Sequence, residues 1–214
     1  EPKFVPEEAV ELRMEDGTGF SVRLIDCVGY MVPGAVGQFE DLAPRMVMTP
    51  WFDQPIPMTE AAEIGTKKVI TDHSTVGIVV TTDGTVTDLP REDYEEAEER
   101  VIRELQAIGK PFVVIVNSAE PESEYARTLA QEMSRRYEVK CLPVNCLTMT
   151  DEEMTALLQG LLYEFPLQEL DLYLPSWVEA LRADHPIKNT LYETIAAETQ
   201  NLYHIRELDS ALKA

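Results

Sequence analysis

The feature that most restricts the fold of this chain is a regular alternation of short apolar runs and longer amphipathic runs between residues 77 and 164. The apolar runs are rich in β-branched residues, which is typical of strands buried on both faces of a sheet. They read "VGIVVTT", "PFVVIVN" and "VKCLPVN". The runs between them have helical periodicity over 91–109, 122–136 and 151–164. We therefore predict an α/β fold with a mainly parallel sheet covered by helices on both faces.

A D-x-x-G pattern stands at the end of an earlier apolar run. Residues 10–26 are predicted to form a hairpin, because apolar and polar residues alternate on both sides of the turn sequence "EDGTG". The second arm passes through Leu24 and Ile25 and ends on Asp26, and Gly29 follows. In phosphate-hydrolysing α/β proteins such an aspartate holds magnesium, and the glycine N–H reaches the γ-phosphate. A polar strand cap followed by a turn glycine fits the same pattern, so both interpretations stand at this point.

Residues 29–57 are predicted to be irregular, because prolines are spread along the whole segment. A structureless connection of this length is uncommon inside a compact domain and is usually functional. Trp51 is interpreted as a clamp that holds this segment in place. A helix is predicted to begin at Thr59 and to end near His73.

Polar residues also follow the strands of the predicted sheet, at the edge where parallel sheets bind ligands. Asp83 is predicted to lie in a turn with Gly84. The sequence "NSAE" at Asn117 matches the N-K-x-D pattern of guanine-nucleotide switches at its outer positions only. Ser118 replaces the lysine, and Glu120, which is one methylene longer, replaces the aspartate. These changes predict a loss of guanine specificity, although a strand-end asparagine cap explains Asn117 equally well.

The net charge of −21 argues against an electropositive surface for nucleic acid and against direct binding to anionic lipid. No apolar run is long enough to span a membrane. The three cysteines have no metal-ligand spacing, and we predict that they are buried free thiols in a reducing compartment. They are Cys27, Cys141 and Cys146.

The pattern changes after residue 165, and we predict one domain over 1–165 and the start of a second over 166–214. Leu170, Leu172 and Leu174 alternate with polar residues, which predicts a strand with one wet face. A long helix with an apolar packing face is predicted beyond Pro186. Its apolar positions are Leu191, Ile195, Leu202, Ile205 and Leu212.

Taken together, these residues resemble the stage IV sporulation protein A family, the spore-coat morphogenetic ATPases of endospore-forming bacteria. The resemblance covers nearly the whole chain. It rests on "VRLIDCVGYMVPGA", "PRMVMTPWFDQPIPMTEAAEIGTKKVITDHSTVGIVVTTDGTV", "AEERVIRELQAIGKPFVVIVNS" and "LYEFP…LPSWV". The second of these segments is highly specific.

The resemblance implies a P-loop GTPase-like fold of the TRAFAC type that uses ATP and Mg²⁺. It assigns the magnesium to Asp26, the switch glycine to Gly29, and the nucleotide-binding strand end to Asn117, Ser118 and Glu120. The family's G-x-x-x-x-G-K-[ST] loop and its γ-phosphate-sensing threonines are expected upstream of residue 1, together with the first strand. The isolated chain is therefore expected to lack ATPase activity.

The residue after the switch glycine predicts slow turnover. Many GTPases keep a glutamine or histidine there to orient water, whereas this chain has Tyr30. A phenol is a poor base at neutral pH, so another group must orient the attacking water.

The resemblance also implies self-association into a polymer that forms the basement layer of the spore coat. It places the protein in the mother-cell cytoplasm, at the outer membrane surface of the forespore. The implied partners are other spore coat proteins and a small amphipathic membrane-anchoring peptide, so that contact with the membrane is indirect and nucleic acid is not bound. A non-enzymatic assembly module is the alternative. A phosphoacceptor signalling domain is a weaker one, because no predicted strand ends on the lysine it needs.

Overall fold

The computed structural model describes residues 6–13, 19–40 and 43–211. The chain forms two compact units, residues 1–159 and 160–214. The strands are β1 (Val10–Arg13), β2 (Gly19–Val22), β3 (Phe39–Glu40), β4 (Ala43–Pro44), β5 (Met46–Thr49), β6 (Phe52–Pro57), β7 (Gly77–Thr82), β8 (Phe112–Asn117) and β9 (Cys141–Val144). The α-helices are α1 (Met58–Lys68), α2 (Glu92–Ala107), α3 (Glu124–Tyr137), α4 (Asp151–Leu162), α5 (Ser176–Glu179), α6 (Pro186–Thr199) and α7 (Leu208–Ala211).

The predicted parallel sheet is confirmed. Its three strands lie in the order β7-β8-β9, and both pairs are parallel, with Gly77 opposite Phe112 and Val114 opposite Cys141. Helices α2 and α3 pack their apolar residues into one buried cluster with the sheet. The cluster comprises Ile70, Val79, Ile102, Leu105, Phe112, Val114, Val116, Ala130, Met133, Tyr137, Val139 and Cys141. This core holds the carboxyl ends of the three strands side by side.

Burial on both faces is confirmed for β8, whose first five residues are buried, and is wrong for β7. Val80 is 60% exposed although its partner on β8, Ile115, is buried. The physical reason is position, because β7 is an outer strand of the three-stranded sheet and its second face is only partly covered.

The first hairpin is confirmed in part. Strands β1 and β2 are antiparallel, with Val10 opposite Val22, and the turn over 14–18 lies outside the described residues. The predicted extension of the second arm to Asp26 is wrong, because β2 ends at Val22 and Leu24 is 70% exposed. Strands β1 and β2 form a separate two-stranded sheet, so the apolar run enters no sheet interior.

The prediction of an irregular segment over 29–57 is confirmed for residues 29–38, which form no helix or strand, and is wrong for the rest. The rest contains two antiparallel hairpins, β3 with β4 and β5 with β6. Their strands include Pro44, Pro55 and Pro57, which two-stranded sheets tolerate because each strand has an outer edge that needs no N–H donor. Trp51, between β5 and β6, packs on α1. Its ring lies 3.4 Å from where a Cβ atom at residue 65 would be, so a glycine there allows the contact. The clamp interpretation of Trp51 is confirmed.

The helix predicted to end near His73 is confirmed, and its last turn is a π-helix over Val69–His73. The ammonium group of Lys110 donates to the carbonyl oxygens of Ile70, Thr71 (2.9 Å) and Ser74 (2.5 Å). It thereby satisfies carbonyl groups that the end of a helix leaves without intrahelical partners. Helices α2, α3 and α4 are confirmed with ends within two residues of the predicted ones.

The unit over 160–214 differs from its prediction. Residues 167–175 form no strand, and one antiparallel bridge joins Pro166 to His204. The single long helix is also wrong, since α6 ends at Thr199 and a 3₁₀ turn begins at Ile205. His204 caps that turn in a reciprocal arrangement with Glu207, which starts a new helical segment instead of continuing the old one. Leu212 lies outside the described residues.

The prediction that the cysteines are buried holds for one of three. All three are free thiols, but Cys27 and Cys146 are exposed, because they lie in segments outside the sheet. Burial raises the pKa of the Cys141 thiol to about 11, which keeps it protonated at neutral pH. In the part of the chain that the structure describes, no helix is both long and apolar enough to cross a lipid bilayer.

Candidate functional site

Three loops meet at the carboxyl ends of β7, β8 and β9, and hydrogen bonds join the first two. Asp83, directly after β7, accepts hydrogen bonds at Oδ1 from the Thr85 N–H (3.0 Å) and the Thr85 hydroxyl (2.6 Å). The Thr85 hydroxyl oxygen in turn accepts from the Ala119 N–H at 2.8 Å, in the loop after β8. Asp83 therefore holds the two loops together through Thr85.

Two asparagines join the third loop to the second. Asn117 Oδ1, at the end of β8, accepts from the Cys146 N–H at 3.0 Å. Asn145, after β9, donates from Nδ2 to the Ala119 carbonyl oxygen at 3.2 Å. We call the polar network of Asp83, Thr85, Asn117, Ala119 and Asn145 the edge network. It forms where ligands bind in parallel α/β sheets.

Ser118 and Glu120 lie in the loop after β8, beside Ala119 of the edge network, but their side chains differ in exposure. Ser118 is fully buried, and its hydroxyl oxygen accepts the Glu120 N–H at 3.0 Å. The hydroxyl oxygen thereby shapes the loop, and the expectation that Ser118 contacts the nucleotide stays a prediction. Glu120 is exposed and free to meet a ligand. Asn117 both caps the strand and positions the neighbouring loop.

The sequence-based interpretation missed the burial of Asp83. The residue is 5% exposed, and its second oxygen, Oδ2, is buried without a hydrogen-bond partner among the described residues. Gly84, the next residue, has φ of +88°, a conformation that glycine adopts without strain. The turn prediction for both residues is therefore confirmed, but it said nothing about the burial of the Asp83 carboxylate. The signal available in the sequence was its position after a buried run, at the same edge as Asn117.

Asp26 and Gly29 are not part of the edge network. No hydrogen bond or ion pair within the described residues links either of them to it, and Asp26 is exposed. Asp26 lies four residues past the end of β2, so it does not cap a strand of the parallel sheet. Gly29 has φ of +82° with open space around the Cβ position, so its backbone conformation, and not crowding, favours glycine.

Tyr30, the residue after Gly29, is attached to α2. Its hydroxyl donates a hydrogen bond to Glu104, and the Arg100 guanidinium lies 4.1 Å from the centre of its ring. Arg100 also forms a bidentate pair with Glu63 of α1, with both contacts at 3.0 Å. Burial and the bond to Glu104 raise the pKa of the Tyr30 hydroxyl well above its ordinary value. The phenol is therefore a protonated donor at neutral pH, which agrees with the expectation that it does not act as a base.

The described residues contain no group of three or more His, Cys, Asp or Glu side chains arranged to hold a metal ion. Magnesium keeps several waters and is usually held by one or two carboxylates together with substrate phosphates. The exposed carboxylate of Asp26 has the chemistry that such a site requires, whereas the unpartnered oxygen of Asp83 is buried.

A comparison with models of known protein families shows which family the chain belongs to. The family model for stage IV sporulation protein A, ATPase domain, matches residues 1–166, which include the parallel sheet and the edge network. The model for the middle domain of the same protein matches residues 167–214. This chain belongs to the stage IV sporulation protein A family. The resemblance seen in the sequence motifs is thereby confirmed.

Individual curated proteins that are similar to this chain belong to the same family. The chain is 44% identical over 209 residues to stage IV sporulation protein A of Bacillus subtilis (strain 168), covering 98% of this chain and 42% of the relative. It is 43% identical to that of Bacillus anthracis, with the same coverage, and 45% identical to that of Clostridioides difficile (strain 630), covering 100% of this chain and 43% of the relative. The chain thus spans about two fifths of the length of these stage IV sporulation proteins A. No solved structure matches it.

Proposed function

We propose that this chain is the nucleotide-handling part of a sporulation protein that hydrolyses ATP. The observation that carries this proposal is the match of residues 1–166 to the ATPase domain of stage IV sporulation protein A. The edge network supports it, because it lies at the carboxyl edge of a parallel sheet, where such proteins bind nucleotides. We also propose the P-loop GTPase-like topology, which the parallel order β7-β8-β9 supports.

The residues have distinct proposed roles. Bound ATP supplies a phosphoanhydride, and Mg²⁺ neutralises the charge that develops when it is hydrolysed. Asp26 is the proposed magnesium ligand, since its carboxylate is exposed and makes no bond within the described residues. Gly29 allows the backbone to turn after it. Asn117 positions the loop after β9, and Glu120 offers an exposed carboxylate to the adenine base of the nucleotide. Ser118 belongs to the proposed nucleotide-binding strand end, and its hydroxyl oxygen shapes the loop that carries Glu120.

Slow hydrolysis is part of the proposal. Tyr30 is bound to Glu104 and stays protonated, so it does not take a proton from water. The sequence of 214 residues also contains no G-x-x-x-x-G-K-[ST] motif, whose N–H groups and lysine position the phosphates in this class of protein. We therefore expect the isolated chain to have negligible ATPase activity, whereas the full-length protein hydrolyses ATP slowly.

The test compares full-length protein, its Asp26→Ala variant and the isolated 214 residues in an assay that follows release of phosphate from ATP. We expect turnover by the full-length protein and loss of at least tenfold in Asp26→Ala. Asp53→Ala is the matched control, because Asp53 is also an exposed aspartate of the same domain. Turnover by the isolated chain at the full-length rate, or an unaffected Asp26→Ala variant, would contradict the proposal.

We further propose that the full-length protein self-assembles into the basement layer of the spore coat. It would act in the mother-cell cytoplasm at the forespore outer membrane, bound to a small amphipathic anchoring peptide and other coat proteins. The names of the relatives support a sporulation role. Sedimentation of full-length protein with and without ATP tests the assembly, and we expect ATP-dependent pelleting that Asp26→Ala abolishes.

A non-enzymatic assembly module is the second candidate. It is favoured by the edge network itself, whose polar atoms are mostly bonded to one another and leave few groups for a ligand. Full-length protein that assembles without binding ATP would support this candidate against the ATPase.

A further inference from the structure

A shallow groove with a volume of about 300 Å³ lies along α3 and β9. We call it the α3–β9 groove. Its apolar residues are Ala130, Cys141 and Pro143, and Arg127 and Arg135 are among the polar residues that α3 contributes. Among the described residues that line the groove, none is acidic. The groove therefore combines an apolar floor with two guanidinium groups.

The protein itself does little to neutralise the two arginines of the α3–β9 groove. Arg127 pairs with Glu122, but 56% and 80% of these side chains are exposed, so solvent screens the pair. Arg135 is exposed and forms no ion pair among the described residues. The chain carries a net charge of −21, so a surface with two arginines and no acid is unusual for it. Such a surface attracts an acidic partner.

The strand that borders the groove is poorly suited to pairing with an added strand. β9 is an outer strand of the three-stranded sheet. The Cys141 N–H donates to the hydroxyl oxygen of Ser134 at 3.0 Å, and Pro143 has no N–H. A peptide that extends a sheet depends on free main-chain donors and acceptors along the edge. The groove therefore fits the side chains of a helical turn better than an added strand.

The first turn of α4 has the complementary chemistry. The helix begins with three acids, and its first six residues are all exposed. Glu153 caps the helix by accepting the Thr150 N–H at 2.8 Å, whereas Asp151 forms no ion pair among the described residues. Met154 follows Asp151 by three positions, so the two side chains share one side of the helix, and Met154 is 42% exposed. This turn offers a carboxylate to an arginine and a flexible apolar side chain to an apolar floor.

We propose that the α3–β9 groove of one copy of the protein binds the first turn of α4 of a second copy. This inference rests on the proposed self-assembly and names the two surfaces that meet in it. Asp151 pairs with Arg135 across the contact, and Met154 covers the apolar floor. Two grooves facing each other would bring arginines together, so the contact joins two different surfaces. Such a contact repeats from head to tail and builds a filament when it does not close into a ring.

The experiment measures the assembly of full-length protein by sedimentation with ATP over a series of protein concentrations. We expect Arg135→Glu and Asp151→Arg each to raise the concentration for half-maximal pelleting about tenfold, because each places like charges across the contact. Lys67→Glu is the matched control, since it makes the same kind of charge reversal at an exposed position of α1, and it should stay within about twofold of wild type. Pelleting of Arg135→Glu at the wild-type concentration would overturn the inference.

A combined variant tests whether these two surfaces bind each other. Arg135→Glu together with Asp151→Arg in one chain exchanges the charges across the contact, and we expect half-maximal pelleting to return to within about threefold of wild type. Restored assembly would also show that both substitutions leave the protein folded. A combined variant that assembles as poorly as the single variants would overturn the pairing. Wild-type protein that never pellets would instead refute the proposed self-assembly, so the two failures are distinguishable.

Discussion

The hydroxyl group of Tyr30 donates a hydrogen bond to the carboxylate of Glu104, 74 positions further along the chain. The guanidinium of Arg100 lies over the ring of the same tyrosine and pairs with Glu63. The residue that follows the D-x-x-G motif is therefore attached to α2, and through Arg100 to α1. This contact stabilises the position of the segment that carries Asp26 and Gly29.

Tyr30→Phe should lower the free energy of unfolding of the full-length protein by about 1 kcal/mol, because it removes one hydrogen bond and keeps the ring under Arg100. Tyr30→Ala should cost more, since it also removes the cation–π contact. Denaturant unfolding measures both effects. ATP turnover by full-length Tyr30→Phe should remain within a few fold of wild type. If it were abolished instead, the tyrosine hydroxyl would have a direct part in hydrolysis.

The pair of Glu63 with Arg100 predicts a pH dependence of stability. Its hydrogen bond with Arg100 lowers the pKa of Glu63 from the ordinary value of 4.5. A carboxyl group whose pKa is lower in the folded protein than in the unfolded chain stabilises the fold when the pH is above its unfolded-state pKa. That stabilisation is lost as the pH falls through the folded-state pKa. We expect the difference in Tm between wild type and Glu63→Gln to be small at pH 7, because the pair is partly exposed, to shrink as the pH falls below 4.5, and to vanish once the pH is well below the lowered pKa of Glu63.

Glu60→Gln is the control for this pH series. Glu60 lies on the same helix and is exposed, without an ion pair among the described residues. Its substitution should leave the pH profile of Tm parallel to that of wild type. A Glu63→Gln variant that kept its full difference in Tm at pH 3 would show that the loss is one of packing and not of charge.

Removing one partner of the buried pair of Arg91 and Glu98 should destabilise the protein more than replacing both partners. Arg91 Nη2 donates to Glu98 Oε1 at 2.9 Å, whereas the Nη1–Oε2 contact at 2.7 Å is an ion pair without hydrogen-bond alignment. Glu98→Gln leaves the arginine charge buried, and it should cost about 3 kcal/mol of unfolding free energy. The double variant Arg91→Met with Glu98→Leu should cost less than Glu98→Gln alone. A double-mutant cycle with the single variants Arg91→Met and Glu98→Leu measures the coupling, and strictly additive costs would contradict it.

Gly84 and Gly109 offer a matched pair for separating backbone strain from crowding. Both have positive φ, so alanine at either position should cost about 1 kcal/mol. A Cβ atom at residue 84 would lie 3.1 Å from the Arg91 nitrogen, while the position at residue 109 has open space within 4 Å. We therefore expect Gly84→Ala to lower the unfolding free energy more than Gly109→Ala. Equal losses in denaturant unfolding would show that the Arg91 backbone yields.

Local patterns predicted the three parallel strands and the helices α1 to α4, because each of these elements can be recognised within a short stretch of sequence, but they missed the hairpins between residues 39 and 57. Strand β8 follows from one apolar run and α2 from one amphipathic run, and neither needs a distant partner to be recognised. The errors arose where a partner decides the outcome. The leucines at 170, 172 and 174 alternate as in a strand, yet no neighbouring strand pairs with them in the described residues.

The candidate site shows the same division. Motif spacing identified Asn117 and the carboxyl edge of the sheet, because strand ends are visible in the sequence. It did not identify the contact of Tyr30 with Glu104, which joins residues far apart in the chain. It also did not reveal that Ser118 is buried and that its hydroxyl oxygen accepts the Glu120 N–H.

By itself, then, the sequence determined the alternating α/β pattern, the acidic character of the chain and its resemblance to one family, since these depend on residue type and short-range order. The tertiary structure alone decided which polar groups form hydrogen bonds within the protein and which remain without a partner. Asp83 and Asp26 are the same residue type, each next to an apolar run, but only Asp83 has one oxygen bonded and the other buried without a partner. That difference arises because burial and hydrogen bonding are properties of the packed sheet and its loops, and no local pattern encodes them.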